Sequence, residues 1–177
     1  MTPVPDRNTF AALYAGQAPW GIGRPQKPFL DVADRITGSL LDAGCGTGDT
    51  ALYFAGRGCR VTGIDFIEEA IKRARRKATD QGVPATFLVR DALTLAGWPG
   101  RFDNVIDSGL FHVFSDEEPG TQGPRRVSKK ELHDAFAQGW AIESIQPCRV
   151  EVRPDLKDFT FSESGPKAWF AVVRRTE

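Results

Sequence analysis

The chain has too few metal-binding side chains to predict a metal centre. Its 177 residues include only three cysteines and two histidines. The cysteines, Cys45, Cys59 and Cys148, form no Cys-X-X-Cys pair, and none of them has zinc-site spacing to a histidine. An odd, scattered set of cysteines also argues against a disulfide framework and favours a reducing compartment. We therefore expect a cytoplasmic protein without a metal ion.

An excess of charge of one sign and long apolar runs are also missing. Lys and Arg together number 23, as do Asp and Glu, so the net charge is zero. Without a general positive field the chain is poorly suited to phosphate backbones, and we expect no nucleic-acid partner. No segment approaches the roughly 18 apolar residues of a membrane span, so we expect no membrane partner. Residues 1–16 lack the basic start and apolar core of a signal peptide.

Helical and extended patterns alternate over the first part of the chain. Residues 39–44, 59–66, 85–92 and 102–110 predict four strands, and helical patterns over 49–58 and 67–82 separate the first three. This alternation predicts an α/β fold with a parallel sheet. After residue 114 we expect a long loop, a helix capped by Ser128 with Glu131 at its third position, and a terminal antiparallel pair of strands.

Three glycines, Gly44, Gly46 and Gly48, follow the first predicted strand in the stretch LLDAGCGTGD. Ligands of parallel sheets bind beyond the carboxyl ends of the strands, and glycine lets a ligand approach the backbone closely. Asp65 ends the second strand, where it can accept both hydroxyls of a ribose. Asp91 ends the third strand, where it can accept a hydrogen bond from an adenine amino group. These positions predict a nucleoside-containing ligand. Three residues would form the apolar slot for its purine: Phe66, Ile67 and Ala92.

The charges around the glycine loop favour one class of nucleoside. The dinucleotide fingerprint G-X-G-X-X-G requires glycine at the position of Asp49, so a nicotinamide-dependent reductase is the weaker alternative. A pyrophosphate at the start of the following helix would also meet the carboxylates of Asp42 and Asp49. S-adenosylmethionine carries no phosphate, and its sulfonium and ammonium groups suit acidic surroundings. The residues therefore favour S-adenosylmethionine.

The segments LLDAGCGTGD, VTGIDF, RDAL and FDNVIDSGLFHVF resemble the successive motifs of class I S-adenosylmethionine-dependent methyltransferases. More narrowly, APWGIGRPQKPF and PGTQGPRRVS resemble a bacterial, largely mycobacterial subgroup related to thiopurine methyltransferases. Members of that subgroup methylate small heterocyclic phenols, hydroxyquinolones and quinone-like compounds. The resemblance implies a Rossmann-like sheet, S-adenosylhomocysteine as product, and an N-terminal lid around Trp20 and Gln26. It implies that seven residues contact the cofactor: Asp42, Gly44, Gly46, Asp65, Phe66, Asp91 and Ala92. We expect the rest of the loop, Cys45, Thr47 and Gly48, to line the same site.

The resemblance also exposes a gap in this chain. In the relatives, FHVF is followed by a helix, a glycine turn and a fifth parallel strand before the PG..GPRR loop. Here Phe114 runs directly into SDEEPGTQGPRRV, so about thirty residues, the size of one βα unit, are expected to be missing. We predict that the sheet closes over this gap with six strands in the order 3-2-1-4-7-6, in family strand names. The last antiparallel strand would then cover the edge of strand four.

A single domain is expected, with residues 1–37 as N-terminal helices and lid, 38–114 as cofactor-binding βα units, and 115–177 as the substrate side.

His112 is the candidate general base, although a histidine hydrogen-bonded in the pocket wall fits equally well. Asp107, a second catalytic candidate, and Ser108 end strand four. They would orient the methionine tail of the cofactor or the acceptor, while the alternative for Asp107 is a turn cap. The other candidate acceptor contacts are Phe111, Phe114, Arg125 and Arg126.

Blander alternatives stay open for several of these residues, namely core packing for Phe111 and a solvated loop for Arg125 and Arg126. Two functions are also open. The first is methyl transfer to a hydroxyl or nitrogen of a small aromatic heterocycle, phenol or quinone-like compound. The second is a cofactor-binding pseudoenzyme that lost its acceptor region. We expect a monomer or weak homodimer in either case.

Overall fold

The computed structural model describes residues 7–16, 18–95, 98, 101–111, 127–155 and 166–176. Short 3-10 turns cover Ala33–Arg35 and Ala92–Thr94. The helices and strands are α1 (Arg7–Ala15), α2 (Lys27–Asp31), β1 (Ser39–Ala43), α3 (Asp49–Gly56), β2 (Arg60–Asp65), α4 (Glu68–Gln81), β3 (Ala85–Val89), β4 (Asn104–Asp107), α5 (Lys129–Ala135), β5 (Trp140–Arg149) and β6 (Lys167–Arg175).

Four parallel strands form the central sheet in the order β3-β2-β1-β4, which confirms the predicted class. β1 lies between β2 and β4, and four of its five residues are buried. Strands of a parallel sheet are covered on both faces, which is why this one reads as a continuous apolar run. Because the chain leaves β1 toward β2 on one side and returns to β4 on the other, a crevice opens at the carboxyl end of β1.

Two helices cover the sheet and complete the main core. α3 buries Phe54 completely, and α4 buries Ala70, Ile71 and Ala74 along one face, as their helical spacing predicts. α4 ends at Gly82, which adopts a left-handed conformation with φ of 65°. α3 precedes β2 and α4 follows it, so the packing of these two helices on the sheet positions the loops after β1 and β2. No helix in the described part of the chain is long and apolar enough to cross a membrane.

The predicted continuous six-stranded sheet is wrong. β5 and β6 pair with each other in antiparallel register, from Trp140↔Arg175 to Arg149↔Lys167, and form a separate two-stranded sheet. The hairpin does not join the central sheet, because its side chains contact residues that precede β1. Phe170 packs edge-on against Phe29 at 5.6 Å, and Glu143 accepts a hydrogen bond from Arg35. Among the described residues, β4 pairs only with β1. Val105 on β4 is accordingly 60% exposed.

α5 begins with the predicted capping box. Ser128 Oγ accepts a hydrogen bond from the Glu131 amide at 3.2 Å, and Glu131 Oε2 accepts one from the Ser128 amide at 2.7 Å. Of this seven-residue helix only Leu132 is buried, so the cap supplies much of its support. We expect Ser128→Ala to lower the free energy of unfolding by about 1 kcal/mol, measured by urea denaturation. Ser128→Thr, which keeps the hydroxyl, is the control. Equal midpoints for the alanine and threonine variants would contradict this role of the cap.

Candidate functional site

The glycine loop between β1 and α3 has a backbone that only glycine adopts without strain. Gly46 and Gly48 have φ of 52° and 82°, in the left-handed region. A Cβ at Gly48 would also lie 2.9 Å from the Ala74 Cβ and from the ring of Phe87, so the loop packs directly on α4 and β3. The loop therefore presents bare backbone at the carboxyl end of β1, where the crevice opens.

Asp65, at the end of β2, ties this loop to the start of α4. Its Oδ2 accepts a hydrogen bond from the Gly46 amide at 3.0 Å, and its Oδ1 accepts one from the Ile67 amide at 2.8 Å. The residue is only 6% exposed, and burial raises the pKa of its carboxyl against the opposing effect of these two hydrogen bonds. Each carboxylate oxygen accepts two hydrogen bonds, so both retain capacity for the hydroxyls of a ribose.

Asp42, on β1, is the most deeply buried acid of the site. It is 2% exposed, and within the described residues its Oδ2 has no hydrogen-bond partner. Burial, followed by the nearby carboxylate of Asp107, raises its pKa to about 7. Buried polar atoms normally have partners, so this oxygen marks a place where a ligand that donates hydrogen bonds or carries positive charge would fit.

Asp107 ends β4 beside this group and Ser108 follows it, so the strand stops short of the predicted residue 110. Asp107 Oδ1 accepts a hydrogen bond from the Leu110 amide at 2.8 Å, so the residue does cap the turn after β4. Although the residue as a whole is exposed, the protein around its carboxyl raises its pKa. Asp42, Asp65 and Asp107 thus stand on three neighbouring strands, at the same end of the sheet.

The residues predicted to hold a purine lie at the ends of β2 and β3. The Arg90 amide donates to the Asp65 carbonyl at 2.9 Å, which brings these strand ends together. Asp91 is exposed, and its Oδ1 accepts a hydrogen bond from the Leu93 amide at 2.9 Å at the start of the 3-10 turn. Ile67 is buried, whereas two neighbours are half-buried: Phe66 and Ala92.

Tyr14, on α1, lies against the glycine loop and was not predicted from the sequence. It is buried, and its hydroxyl lies 2.6 Å from the position that a Cβ on Gly46 would occupy. Burial and the charge of Asp65 raise its pKa. Trp20 Nε1 donates a hydrogen bond to this hydroxyl at 3.3 Å, so the predicted lid reaches the glycine loop through Tyr14. The four-residue spacing of Phe10 and Tyr14 on α1 was the available signal, but it does not distinguish a site residue from a core residue.

The segment of the lid around Gln26 is attached to the residues that follow β5. Gln26 Nε2 donates to the Glu151 carbonyl at 2.9 Å, and the Glu151 amide donates to Gln26 Oε1 at 2.7 Å. Arg24 forms an ion pair with the Glu151 side chain, and the Arg153 amide donates to the Pro19 carbonyl at 2.9 Å. Between these two segments lies a cavity of about 480 Å³, lined by Gly21, Ile22, Arg24 and residues 151–155.

Other predicted site residues have different surroundings. Thr47 donates to Asp49 at 3.0 Å, and Lys77 pairs with Asp49 at 2.7 Å. Asp49 is therefore paired with a cation, which weakens the repulsion that we expected between its charge and a phosphate. Phe111 stacks on Phe136 with ring centroids 6.5 Å apart, so it takes part in packing. Cys45 is half-buried, and burial raises the pKa of its thiol. Four predicted residues lie outside the described residues: His112, Phe114, Arg125 and Arg126.

The site fits S-adenosylmethionine better than an anionic nucleotide. An orphaned buried carboxylate oxygen and two further carboxylates surround bare loop backbone, and the described residues provide no basic side chain bonded to these three acids. Asp65, the residue predicted to bind the ribose, has lone pairs left to accept further hydrogen bonds, and Asp91, predicted to bind the adenine, is exposed beside it at the end of β3. Positive charge on the ligand would compensate the acids, whereas a phosphate would add to their negative charge.

Comparison with known proteins gives the same result. A family model described as a methyltransferase domain matches residues 40–131, just over half of the chain. The 2-heptyl-1-hydroxyquinolin-4(1H)-one methyltransferase of Mycobacteroides abscessus is 31% identical over 189 residues, covering 84% of this chain and 83% of that protein.

Solved structures share the fold. One, from a study of the conversion of a disulfide bond into a thioacetal group during echinomycin biosynthesis, superimposes with a TM-score of 0.77 at 34% identity, covering 95% of this chain and 92% of that chain. Magnesium protoporphyrin IX methyltransferase from Synechocystis with bound S-adenosylmethionine superimposes with a TM-score of 0.56 at 21% identity, over 71% of both chains. The chain therefore belongs to the class I S-adenosylmethionine-dependent methyltransferases, with S-adenosylmethionine as its cofactor.

Proposed function

We propose that this enzyme methylates a hydroxyl or ring nitrogen of a small aromatic heterocycle, a phenol or a quinone-like compound. The observation that carries this proposal is the similarity, over 84% of the chain, to a protein named for a hydroxyquinolone acceptor. A phenol or hydroxy-heterocycle with a pKa near neutrality is itself a good nucleophile. Such an acceptor requires mainly alignment and exclusion of water from the protein.

The residues of the site divide this work between them. When bound, S-adenosylmethionine supplies a methyl group activated by its sulfonium. Asp65 would bind the ribose, Asp91 the adenine, and Asp42 and Asp107 would face the positively charged part of the cofactor. Trp20 would close the site, because its indole contacts Tyr14 above the glycine loop. His112 remains the candidate general base.

The candidate position for the acceptor is the open cavity between the lid segment and the residues that follow β5. Its volume of about 480 Å³ lies within the range of small-molecule sites, about 300–1,000 Å³. Ile22 and Val152 give it apolar walls, and Gly21 joins it directly to Trp20. The charges at its rim are already paired, since Arg24 bonds to Glu151 and a second pair joins Arg153 and Asp155. A flat acceptor without a strong net charge would suit these walls.

The proposed internal gap supports the alternative of a pseudoenzyme. The alignment with the hydroxyquinolone methyltransferase runs over 189 positions although this chain has only 177 residues, so it must open gaps in this chain. In the part of the chain that the structure describes, β4 also has an open edge. If the missing unit held the acceptor, the cofactor site would persist without methyl transfer.

Turnover on a panel of acceptors tests the two functions. Purified protein is incubated with methyl-labelled S-adenosylmethionine and hydroxyquinolones, simple phenols, quinols and a disulfide-containing peptide. We expect label in at least one hydroxylated heterocycle, and loss of that product in Asp65→Ala, whose cofactor site is impaired. Micromolar binding of S-adenosylhomocysteine with no labelled product from any acceptor would favour the pseudoenzyme. Label confined to the peptide would assign a sulfur acceptor instead.

A further inference from the structure

Three acidic residues, Asp42, Asp65 and Asp107, lie at the same end of three neighbouring strands, and the glycine loop follows the middle strand. The register places Asp42 beside Gly63 on β2 and beside Ile106 on β4, one residue before Asp107. Asp65 lies two residues after Gly63 on β2, so acids on both flanking strands end near Asp42. Asp42 is almost completely buried, and its Oδ2 has no partner among the residues described. This oxygen is therefore shielded from bulk water and has no hydrogen bond from the described part of the protein.

Among the residues that the structure describes, the titratable groups near Asp42 oppose its ionisation or are neutral. Asp107 and Asp65 repel a second negative charge, from β4 and β2 respectively. The pKa values of the Cys45 thiol in the loop and of the Tyr14 hydroxyl on α1 are both raised, so both groups are uncharged at neutral pH. From α3, only the Ala51 amide donates a hydrogen bond to the Asp42 carboxyl.

No compensating cation comes from the described part of the protein. Lys77, the basic residue beside the loop, bonds to Asp49 at 2.7 Å and to Thr47 at 2.9 Å. Closely spaced carboxylates without a counter-ion do not all ionise, because each charge raises the cost of the next. Burial and the neighbouring acids raise the pKa of Asp42 to about 7, in agreement with a proton held there when the site is empty.

The substrate and product forms of the cofactor differ by one positive charge. S-adenosylmethionine has a sulfonium, an ammonium and a carboxylate, whereas S-adenosylhomocysteine has lost the sulfonium charge with the methyl group. A positive charge near the three acids lowers the cost of ionising Asp42. When the reaction removes that positive charge, the free-energy cost of ionising Asp42 rises again.

We propose that Asp42 releases its proton when S-adenosylmethionine binds and takes a proton back once the product is formed, so that product release is coupled to proton uptake. Protonation of Asp42 then compensates for the loss of the positive charge of the sulfonium. The site thereby binds substrate more tightly than product, by a ratio that grows as the pH rises through neutrality. This inference rests on the cofactor site proposed above and is independent of the acceptor.

Isothermal titration calorimetry of the wild-type protein measures the exchange directly. Binding heats are recorded at pH 6.5 in phosphate and in an amine buffer, whose ionisation enthalpies differ, and the difference gives the protons released. We expect about one proton released per S-adenosylmethionine and clearly fewer per S-adenosylhomocysteine. At pH 8.5, where Asp42 is already ionised, neither ligand should release a proton.

Variants identify the group that titrates. Asp42→Asn should abolish the difference in proton release between the two ligands and make the affinity for S-adenosylmethionine independent of pH from 6 to 8. Asp49→Asn is the matched control, since that carboxylate, at the start of α3, is already paired with Lys77, and the variant should leave proton release unchanged. Release that persists in Asp42→Asn and disappears in His112→Gln would overturn the assignment.

Two further outcomes would also overturn the proposal. Equal proton release by substrate and product would show that the sulfonium charge does not displace the proton. If Asp42→Asn is too unstable to purify, the titration of Asp42 is measured instead by carboxyl ¹³C NMR of the wild-type protein. A midpoint below pH 5, as for an ordinary aspartate, would refute the proposal. Binding without proton release refutes this inference alone, whereas failure of S-adenosylmethionine to bind refutes the cofactor site itself.

Discussion

Replacing Asp65 with alanine will weaken binding of S-adenosylhomocysteine by about a hundredfold. Hydrogen bonds to a charged group contribute about 1.5–3 kcal/mol each, and a carboxylate that accepts both ribose hydroxyls therefore supplies about 3 kcal/mol. The burial of Asp65 excludes competing water from these bonds. Isothermal titration calorimetry measures the loss. S-adenosylhomocysteine is the ligand of choice, because its affinity is independent of turnover.

The same substitution also removes two bonds that hold the loop. Asp65 accepts from the amides of Gly46 and Ile67, so part of the lost affinity will come from a less ordered loop. Asp65→Asn separates the two effects, since its single amide oxygen can keep one backbone bond while the carboxylate charge is lost. We expect it to bind more tightly than the alanine variant but below wild type. Unaltered affinity in Asp65→Ala would remove Asp65 from the site.

Asp91 provides a second comparison within the same ligand. It is exposed and is proposed to accept only one hydrogen bond, from an adenine amino group, so Asp91→Ala should cost less affinity than Asp65→Ala. A larger loss for Asp91→Ala would mean that the nucleoside lies along β3 rather than across the ends of β1 and β2.

The parallel part of the fold was predictable because it depends on local patterns. The first strand was predicted over 39–44 and is observed as Ser39–Ala43, and the second over 59–66 and observed as Arg60–Asp65. Buried parallel strands are short apolar runs, and the residues at their carboxyl ends share one edge of the sheet. The position of Asp65 beside the glycine loop follows from these two facts alone.

The position of the terminal hairpin depends on contacts that no local pattern reveals. The pairing of β5 with β6 was predictable, but its attachment depends on Phe170 meeting Phe29 and on Glu143 meeting Arg35, residues more than a hundred positions apart in sequence. An apolar strand can cover an open edge or pack against a helix equally well by its composition. Side-chain packing therefore determines where the hairpin lies.

The electrostatics of the loop were only half predictable. Asp42 and Asp49 both occur within the motif, and the sequence treats them alike. In the structure Lys77, on α4, neutralises Asp49, while Asp42 remains buried without a counter-ion among the described residues. Tyr14 was missed for a similar reason, since burial over a glycine is a property of tertiary packing.

Replacing Gly63 with alanine will lower the free energy of unfolding by about 3 kcal/mol, the upper end of the cost of overpacking. Gly63 lies in β2, paired with β1 at Asp42 and with β3 at Phe87. Its backbone φ is ordinary, so the cost is steric: a Cβ there would lie 2.7 Å from two ring carbons of Phe87 and 2.9 Å from the Cys45 Sγ. Neither neighbouring strand can move away without breaking the sheet. Chemical denaturation measures the loss.

Two variants decide whether the clash is the cause. Gly56→Ala, at the end of α3, meets nothing within 4 Å and should be neutral or slightly stabilising, because alanine favours helix over glycine. Phe87→Leu in the Gly63→Ala background should recover part of the lost stability by removing ring atoms. It cannot relieve the contact with Cys45, which lies in the glycine loop. We also expect Gly63→Ala to weaken binding of S-adenosylhomocysteine, because its Cβ would press on Cys45 in the glycine loop. In the double variant stability should be partly rescued while the weakened binding persists, and rescue of both would show that the loop does not depend on Gly63.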